Sequence, residues 1–522
     1  MVAWAAARGA GMGKEDGMTS IERLRDLDRE AKLVEHIGAA LGWDQETYMP
    51  PAAIDERAEQ LALLESLGHE KRTSPEVGEL LATLGSTTDN PAGDAGLADI
   101  DRAYLRVMRR AYDQATKLPV ELVAEMAKAT SLSQAAWVQA REKNDFPSFA
   151  PHLQKMIDFN QRIAACLDPR KKPYDVLLDL FEEGGTEDQV AGVFRALRDD
   201  LVVLLGKIRS RPQVDDSILR RTCPQSSQAE ASRYLMKVLS YDLERGRLDT
   251  TAHPFTTTLG QSDVRITTRY LEDYFPSSLF STIHETGHAL YELGLDPSPD
   301  YRRTSLAEAT SMAVHESQSR LWENMVGRSR GFWRNHLPAM AGMLSPALDG
   351  VDLERFYRAA NRVEPSLVRT EADEVTYSLH VILRFELEGE LMAGRLAVKD
   401  VPAAWNERMK KLLGVVPPND AKGCLQDIHW SMGSFGYFPS YALGNLYGAQ
   451  WWDAMKAEGL DPAAAVERDD LAAILGWLRK NVHVPGATYK PGELVERVTG
   501  SPLDASHFVR YLNDKYAGVY GF

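Results

Sequence analysis

The stretch STIHETGHALYE, residues 281–292, contains the residue types of a metal-dependent hydrolase. His284 and His288 stand four residues apart, so on a helix they share one face and can bind the same metal ion. Glu285 follows the first histidine and can take a proton from a metal-activated water molecule. The alternative is that two histidines merely share the face of an amphipathic helix. Other segments of the chain must distinguish these two interpretations.

The residues around this motif predict that it lies in the middle of a helix. Ser277 or Ser278 can cap the start of this helix, and Gly294 can end it. A catalytic zinc ion normally takes three protein ligands and leaves one position for water. A third ligand must therefore come from another segment.

The next segment, SLAEATSMAVHESQSRLWENM (305–325), predicts a helix after a short loop. If this helix runs back against the first, Glu316 lies level with His284 and is the better third ligand. His315 is the rival, but it points about 100° away around the helix. Glu308, about two turns earlier on nearly the same face, is either an acceptor for a histidine Nδ1–H or a solvated charge.

A later segment, NRVEPSLVRTEADEVTYSLHVILRFELE (361–388), places Arg369 four residues before Asp373. Such a pair is usually a surface ion pair of little consequence. A guanidinium near a metal site can instead hold a carboxylate through two hydrogen bonds.

A third segment, GCLQDIHWSMGSFGYFPSYALGNLYG (423–448), crowds aromatic residues around glycine and proline. His429, Tyr437 and Tyr441 are of the types that stabilise an oxyanion opposite zinc. Residues of these types are also often ordinary core with satisfied polar ends.

Helical patterns dominate the rest of the chain and must position these candidates. Apolar residues recur at helical spacing in 21–43 and 97–118, and in segments near 147–167, 186–210, 227–241, 352–362, 373–396, 402–413 and 470–482. One stretch differs: HPFTTTLGQSDVRITTRY (253–270) predicts a β-hairpin that ends just before the motif helix.

We expect one large, mainly α-helical domain over residues 19–522, because the sequence shows no internal repeat and no low-complexity linker. Residues 1–18 are predicted to be a disordered or dispensable tail. The sequence leaves open whether translation starts at Met1 or Met18.

Composition narrows the classes of function. The chain has 522 residues, a net charge of −15, 44% hydrophobic and 26% charged residues, which is an ordinary globular composition. The negative charge argues against nucleic-acid binding, and the lack of an apolar run of ~18 residues argues against a membrane span. Cys166, Cys223 and Cys424 are far apart and odd in number, which predicts reduced thiols in the cytoplasm.

Taken together, the motifs resemble the thermostable, carboxypeptidase Taq-type metallocarboxypeptidase family. Besides HETGH at 284–288, four other segments carry the likeness. HESQS at 315–319 resembles the family's third-ligand motif, and DVRIT at 263–267 resembles its DxRxT motif. VRTEAD at 368–373 resembles its IRxxAD motif, and GCLQDIHW at 423–430 resembles its GxxQDxHW motif. Val368 stands where the family has isoleucine. GWDQETYMPPAAIDERAEQLALLE (42–65) is also similar to the family's N-terminal segment, so the likeness runs from about residue 20 to the C-terminus.

The resemblance implies an all-α fold with a deep substrate groove, related in architecture to neurolysin-type and angiotensin-converting-enzyme-type peptidases. A small hairpin or sheet would lie beside the motif helix, and the N-terminal helices, about 19–145, would form a lid. It also implies release of single residues from peptide C-termini with broad tolerance, a homodimer, and zinc as the metal, for which cobalt can substitute.

The resemblance also implies roles for particular residues. The zinc ligands would be His284, His288 and Glu316. Glu285 would be the general base, and Tyr441 or Tyr437, with His429, would hold the oxyanion.

Arg369 is the candidate anchor for the α-carboxylate of the substrate, with Asp373 holding its guanidinium. Arg265 and Arg269 are alternates, and the hairpin would bring His253 and Arg265 near the groove.

Two other functions remain open at this point. An endo-oligopeptidase or dipeptidase could use the same zinc chemistry but would not need this anchor for the α-carboxylate. A non-catalytic helical scaffold with a structural metal would have no use for Glu285, and such sites normally fill the fourth position with a protein ligand.

Overall fold

The structure of the chain, a computed structural model, describes residues 18–522. The predicted N-terminal tail lies outside the described residues except for Met18. The described chain is mainly α-helical with one small β-sheet, and the fold class predicted from the sequence is confirmed.

Helices occur along the whole described length and are joined by short loops, 3₁₀ turns and the π-helical turns Leu321–Val326 and Arg479–His483. In chain order the α-helices are α1 (Ser20–Thr47), α2 (Ile54–Arg72), α3 (Pro75–Thr83), α4 (Asp99–Thr116), α5 (Val120–Lys143), α6 (Phe146–Leu167), α7 (Pro173–Phe181), α8 (Glu187–Arg209), α9 (Gln225–Val238), α10 (Pro276–Glu292), α11 (Met312–Arg320), α12 (Arg330–Met343), α13 (Leu353–Ala360), α14 (Glu374–Met392), α15 (Val401–Leu413), α16 (Pro439–Ala457), α17 (Pro462–Glu467), α18 (Leu471–Leu478), α19 (Pro491–Thr499) and α20 (Ser506–Tyr520).

Local capping explains where the first helix begins. Thr19 accepts a hydrogen bond from the Glu22 N–H at 3.4 Å, and the Thr19 N–H donates to the Glu22 carboxylate at 2.7 Å. This reciprocal pair satisfies N–H groups that have no partner within the helix. The other predicted helical segments coincide with observed helices to within a few residues, except that the last, 470–482, divides into α18 and the π-helical turn after it.

The predicted hairpin is present within a sheet of strands β1 (Leu248–Thr250), β2 (Thr256–Gly260) and β3 (Asp263–Thr268). Strand β3 lies in the middle, antiparallel to β2 and parallel to β1, and the sequence did not predict β1. Val264 and Ile266 of β3 are fully buried and pack in one cluster with Ala289 and Leu293. This packing fixes the sheet beside α10.

Separate hydrophobic clusters stabilise the N-terminal helices and the rest of the chain. The larger cluster includes buried residues of α5–α20, whereas a smaller one joins α1, α3 and α4 to Tyr301 and Leu306. Asp28 of α1 also accepts hydrogen bonds from the N–H and Oγ of Ser305 at 2.8 and 2.7 Å. That the N-terminal helices form a lid stays a prediction.

None of the described helices is both long enough and apolar enough to cross a membrane.

Candidate metal centre and active site

Helix α10 carries the His-Glu-x-x-His motif at its centre, as the sequence predicts. Pro276 occupies its first position, so Ser277 and Ser278, the predicted caps, lie inside the first turn. The capping prediction is wrong because a proline at the first position starts the helix without an N–H group to satisfy. The helix ends at Glu292, shortly before Gly294.

Three side chains meet where α10 packs against α11. His284, His288 and Glu316 each offer one ligand atom, and these atoms lie within 4.8 Å of one another. Nε2 of His284 lies 3.7 Å from Oε2 of Glu316, and Nε2 of His288 lies 3.4 Å from the same oxygen. We call these three residues the metal cluster. His315, the rival third ligand, points elsewhere, because its Nε2 contacts Glu292 Oε1 at 2.9 Å.

The hydrogen-bond partners of the two Nδ1 atoms show that the metal cluster fits a divalent metal. His284 Nδ1 lies 2.9 Å from Glu323 Oε2, and His288 Nδ1 lies 3.1 Å from the carbonyl oxygen of His315. Both acceptors require the proton on Nδ1, which leaves the Nε2 lone pairs free for a metal. Two imidazole nitrogens and one carboxylate oxygen are a usual ligand set of catalytic zinc sites.

The carboxylate behind His284 is Glu323 and not Glu308, the candidate from the sequence. The predicted helix starts later than expected, at Met312, so Glu308 lies in extended chain before it. There it pairs with Lys32 of α1. The prediction failed because it counted one regular helix through residues that are extended.

Glu285 points from α10 towards the sheet. Its Oε2 accepts a hydrogen bond from Oγ1 of Thr256, on the edge strand β2, at 2.7 Å. The side chain is buried, and burial raises the pKa of this carboxyl. Thr256 therefore orients a carboxylate beside the metal cluster, and the sequence gave no signal for this contact.

Close helix packing sets the position of Glu316. A Cβ atom built on Gly287 of α10 would lie 2.7 Å from the carbonyl oxygen of Gln318, and one on Gly444 of α16 would lie 2.7 Å from Cβ of Glu316. Helix α11 is thus held between two helices that approach it where they have no side chain. The glycine in HETGH is explained by this contact.

A second group of buried residues lies close to the metal cluster. Arg369 donates from Nε and Nη2 to Asp427 Oδ1 at 3.1 and 2.9 Å, and from Nη1 to the Tyr377 hydroxyl at 3.0 Å. Arg384 donates from Nε to Asp427 Oδ2 at 2.7 Å. We call Arg369, Arg384, Asp427 and Tyr377 the arginine cluster. Arg320 of α11 lies between the arginine cluster and the metal cluster, since its guanidinium lies 4.3 Å from the centre of the Tyr377 ring and its Nε donates to Glu316.

The arginine cluster has an excess of one positive charge. Burial opposes ionisation of Asp427, but Arg384 and then Arg369 hold the pKa of its carboxyl far below the usual range. Asp373, the predicted partner of Arg369, instead caps α14 by accepting from two backbone N–H groups at 2.9 and 3.0 Å. That prediction is wrong because a carboxylate at the start of a helix is taken by the free N–H groups there.

The three predicted oxyanion residues lie together next to the arginine cluster. His429 Nε2 lies 3.2 Å from the Tyr441 hydroxyl, and the rings of Tyr437 and Tyr441 are 5.2 Å apart. The Arg369 guanidinium lies 4.7 Å from the centre of the Tyr441 ring. Burial lowers the pKa of His429 to about 4 and raises that of Tyr437 to about 12. At neutral pH the phenol keeps its proton and the imidazole is uncharged.

A buried carboxylate holds the loop that carries these residues. Glu388 of α14 accepts from Trp430 Nε1 and from the Gly436 N–H, each at 2.9 Å, and from the Tyr174 hydroxyl at 2.9 Å. Two of these partners, Trp430 and Gly436, lie directly beside His429 and Tyr437 in the sequence. No pattern in the sequence identifies Glu388, because its partners come from two distant segments, α7 and the loop around His429.

The remaining predicted substrate residues are not brought into either cluster. Arg265 pairs with Asp263 at 2.8 and 2.7 Å, and its guanidinium lies 4.5 Å from the centre of the Trp43 ring. His253 is exposed in the loop between β1 and β2. Within residues 18–522 no hydrogen bond joins either side chain to the metal cluster or the arginine cluster.

A helix-borne His-Glu-x-x-His pair, completed by a glutamate from the next helix and backed by a carboxylate, defines a metallopeptidase of the HExxH class. The carboxypeptidase Taq (M32) metallopeptidase family matches residues 23–516, and the chain belongs to this family. It is therefore a metallocarboxypeptidase, a peptide hydrolase. The resemblance seen in the sequence is confirmed.

Relatives match over nearly the full length. Thermostable carboxypeptidase 1 of Thermus thermophilus is 41% identical over 514 residues, which are 96% of this chain and 99% of that protein. Carboxypeptidase 1 of Bacillus subtilis is 36% identical over 493 residues, 94% of this chain and 97% of that protein. The crystal structure of an M32 carboxypeptidase from Deinococcus radiodurans superposes with a TM-score of 0.92 at 40% identity, covering 96% of this chain and 100% of that one.

Proposed function

We propose that this metallocarboxypeptidase binds one zinc ion per chain and releases single residues from peptide C-termini with broad side-chain tolerance. The ligands are His284, His288 and Glu316. The observation that carries the proposal is that both Nε2 atoms face one oxygen of Glu316 while acceptors occupy both Nδ1 atoms. Cobalt, which takes similar ligands, is expected to substitute.

When bound, the metal supplies Lewis-acid polarisation of the scissile carbonyl and makes water more acidic. Glu285 takes the proton of the attacking water and passes it to the leaving amine. Its position next to His284 supports this role, as does the Thr256 hydroxyl that orients Oε2 at 2.7 Å.

Tyr441, Tyr437 and His429 are proposed to stabilise the oxyanion. The raised pKa values of both phenols keep them protonated as hydrogen-bond donors near pH 7. The contact of Tyr441 with His429 at 3.2 Å orients its hydroxyl before a peptide binds. A donor placed in advance stabilises charge that develops only in the transition state.

Arg369 is proposed to anchor the α-carboxylate of the substrate. The excess positive charge of the arginine cluster supports this, because Asp427 neutralises only one of its two guanidiniums. The distance of 4.7 Å from the Arg369 guanidinium to the Tyr441 ring places this charge near the proposed oxyanion residues. Arg265 and His253 are proposed to contact the peptide further along the groove.

We also propose that the protein is a cytoplasmic homodimer. Support for the location comes from Cys166, Cys223 and Cys424, which are all unpaired. The dimer rests on the family resemblance, and the molar mass from light scattering tests it.

A peptide blocked at its N-terminus tests the function directly. The zinc-loaded protein should produce a ladder of products that lose one residue at a time from the C-terminus, followed by mass over time. The Glu285→Gln protein, loaded in the same way, is the control for contaminating peptidases. Internal fragments, or release of dipeptides, would contradict the proposal.

A further inference from the structure

The two oxygens of Glu316 have different surroundings. Oε2 faces the metal cluster, at 3.7 Å from His284 Nε2 and 3.4 Å from His288 Nε2. Oε1 accepts a hydrogen bond from Nε of Arg320 at 2.6 Å. Ser319 Oγ lies 3.1 Å from Oε2, but it lies closer, at 2.7 Å, to the carbonyl oxygen of Glu316. Only Oε1 is therefore held by a charged donor.

Arg320 is itself held in place. It lies one turn after Glu316 on α11, and its guanidinium lies over the Tyr377 ring at 4.3 Å. Its Nη1 lies 3.4 Å from Oε2 of Glu323. An ion pair with this spacing on a helix surface contributes little, but in a buried site the loss of one partner leaves an uncompensated charge.

We propose that Arg320 fixes Glu316 as a ligand that binds the metal through one oxygen only. This rests on the proposed metal site. A carboxylate can bind a cation with one oxygen or with both. Because Arg320 occupies Oε1, the second oxygen is withheld and a coordination position stays available for water and the peptide carbonyl, as a catalytic site requires. Arg320 is thus a positioning residue that acts through Glu316.

Arg328 offers a matched control for this proposal. Like Arg320, it is a half-buried cation beside the metal cluster, since its Nη2 donates to Oε1 of Glu323 at 3.0 Å. Its Nη1 donates to the carbonyl oxygen of Ala360 at 2.8 Å. Arg328 therefore adds similar charge but makes no hydrogen bond to Glu316.

The test is the visible absorption spectrum of the cobalt-loaded proteins, which reports coordination geometry. Arg320→Met should lose band intensity, because freed Oε1 adds a ligand and the site moves away from tetrahedral geometry. Arg328→Met should keep the wild-type spectrum. Arg320→Lys, which retains a charged N–H donor, should keep more of the wild-type intensity than Arg320→Met.

An unchanged spectrum of Arg320→Met, or an equal change in Arg328→Met, would overturn the proposal. If Arg320→Met does not fold, as judged by circular dichroism, Arg320→Gln and Arg320→Lys replace it, and wild-type spectra for both would overturn the proposal equally. A wild-type protein that binds no cobalt would contradict the metal site itself. That result differs from one in which cobalt binds but substitution of Arg320 leaves the spectrum unchanged, which would contradict only the role of Arg320.

Discussion

The metal cluster and the arginine cluster are built in different ways. The metal cluster and its partner Glu323 come from α10, α11 and the π-helical turn that follows, all within residues 284–323. The arginine cluster brings together Arg369, Tyr377 and Arg384 with Asp427, which compensates part of the positive charge of the two arginines in the interior. Helical spacing suffices to specify the first, whereas the second depends on long-range packing and charge balance.

The clusters also differ in the charge they offer to a peptide. The metal cluster contributes one carboxylate and is completed by a cation, whereas the arginine cluster already has an excess positive charge. Tyr377 contacts both sides, through Arg320 at 4.3 Å and through Arg369 at 3.0 Å. A scissile bond at the metal and a free carboxylate at Arg369 would therefore use two separate sources of positive charge.

The largest effect is expected from removing Glu285, the proposed base next to the metal cluster. Glu285→Gln should keep bound metal per chain near the wild-type value and lower turnover by ~10²–10⁴-fold, because the amide cannot accept a proton. Metal analysis together with turnover of a blocked peptide checks this. Loss of the metal as well would assign Glu285 a structural role, and surviving activity would show that the proposed mechanism is wrong.

The next effect tests the arginine cluster. Arg369→Ala should reduce cleavage of free-acid peptides by ~10²-fold or more, because two charge-assisted hydrogen bonds to the carboxylate are lost. Cleavage of the same peptides with an amidated C-terminus, already poor, should hardly change. The ratio of the two rates is the measurement.

Equal loss with both kinds of peptide would mean that Arg369 only maintains Asp427 and that the anchor lies elsewhere, with Arg265 as the next candidate. No loss with either would contradict the proposed role of the arginine cluster. Arg265→Ala, measured alongside, tests that second candidate, whose pair with Asp263 lies outside both clusters.

A smaller effect, on metal affinity, should distinguish a carboxylate that contacts the metal cluster from one that does not. Glu323→Gln should weaken metal binding by ~10–100-fold, because the amide no longer holds His284 Nδ1–H as a carboxylate does. Glu308→Gln should leave metal affinity unchanged, since Glu308 pairs with Lys32 of α1. Competition with a chelator measures both, and equal losses would refute the assignment.

The smallest effect concerns the charge balance around the arginine cluster. His380 is fully buried, and burial and then Arg384 lower its pKa to about 3. Since a histidine in the unfolded chain titrates near ~6.5, the unfolded state gains a proton that the folded state rejects as the pH falls below that value. Folded stability is thus present above pH ~6.5 and is lost as the pH falls towards 3.

His380→Gln should remove this dependence. Between pH 7 and pH 5 the free energy of unfolding of the wild type should fall by about 2 kcal/mol more than that of the variant. Urea unfolding at both pH values measures the difference. His69→Gln, at an exposed position of α2, is the control, and parallel curves for His380→Gln and the wild type would contradict the prediction.

The sequence predicted the local features of the fold and of the metal cluster. The period of apolar residues placed the helices, the turn residues placed the hairpin, and the spacing of four residues placed His284 and His288 on one face. Glu316 followed from counting along the next helix. These features depend on a few neighbouring residues, which a single sequence displays directly.

Contacts between distant segments were not predictable in the same way. Arg369 was assigned to Asp373 because they are close in sequence, whereas its partner Asp427 lies 58 residues away along the chain. Glu388 was missed because its donors come from α7 and from both arms of the loop around His429. Such partners are set by packing and by the need to satisfy buried charge, which periodicity does not report.

The close approach of α10 and α16 to α11 has a consequence for how this protein can vary. Gly287 and Gly444 offer no chemical group to metal or peptide, yet a single added carbon at either would meet atoms of α11 at 2.7 Å. Random mutagenesis should therefore find inactive variants at Gly287 and Gly444, although neither residue has a role in the proposed reaction. At these two positions the absence of a side chain is as necessary to the metal cluster as the presence of a ligand is elsewhere.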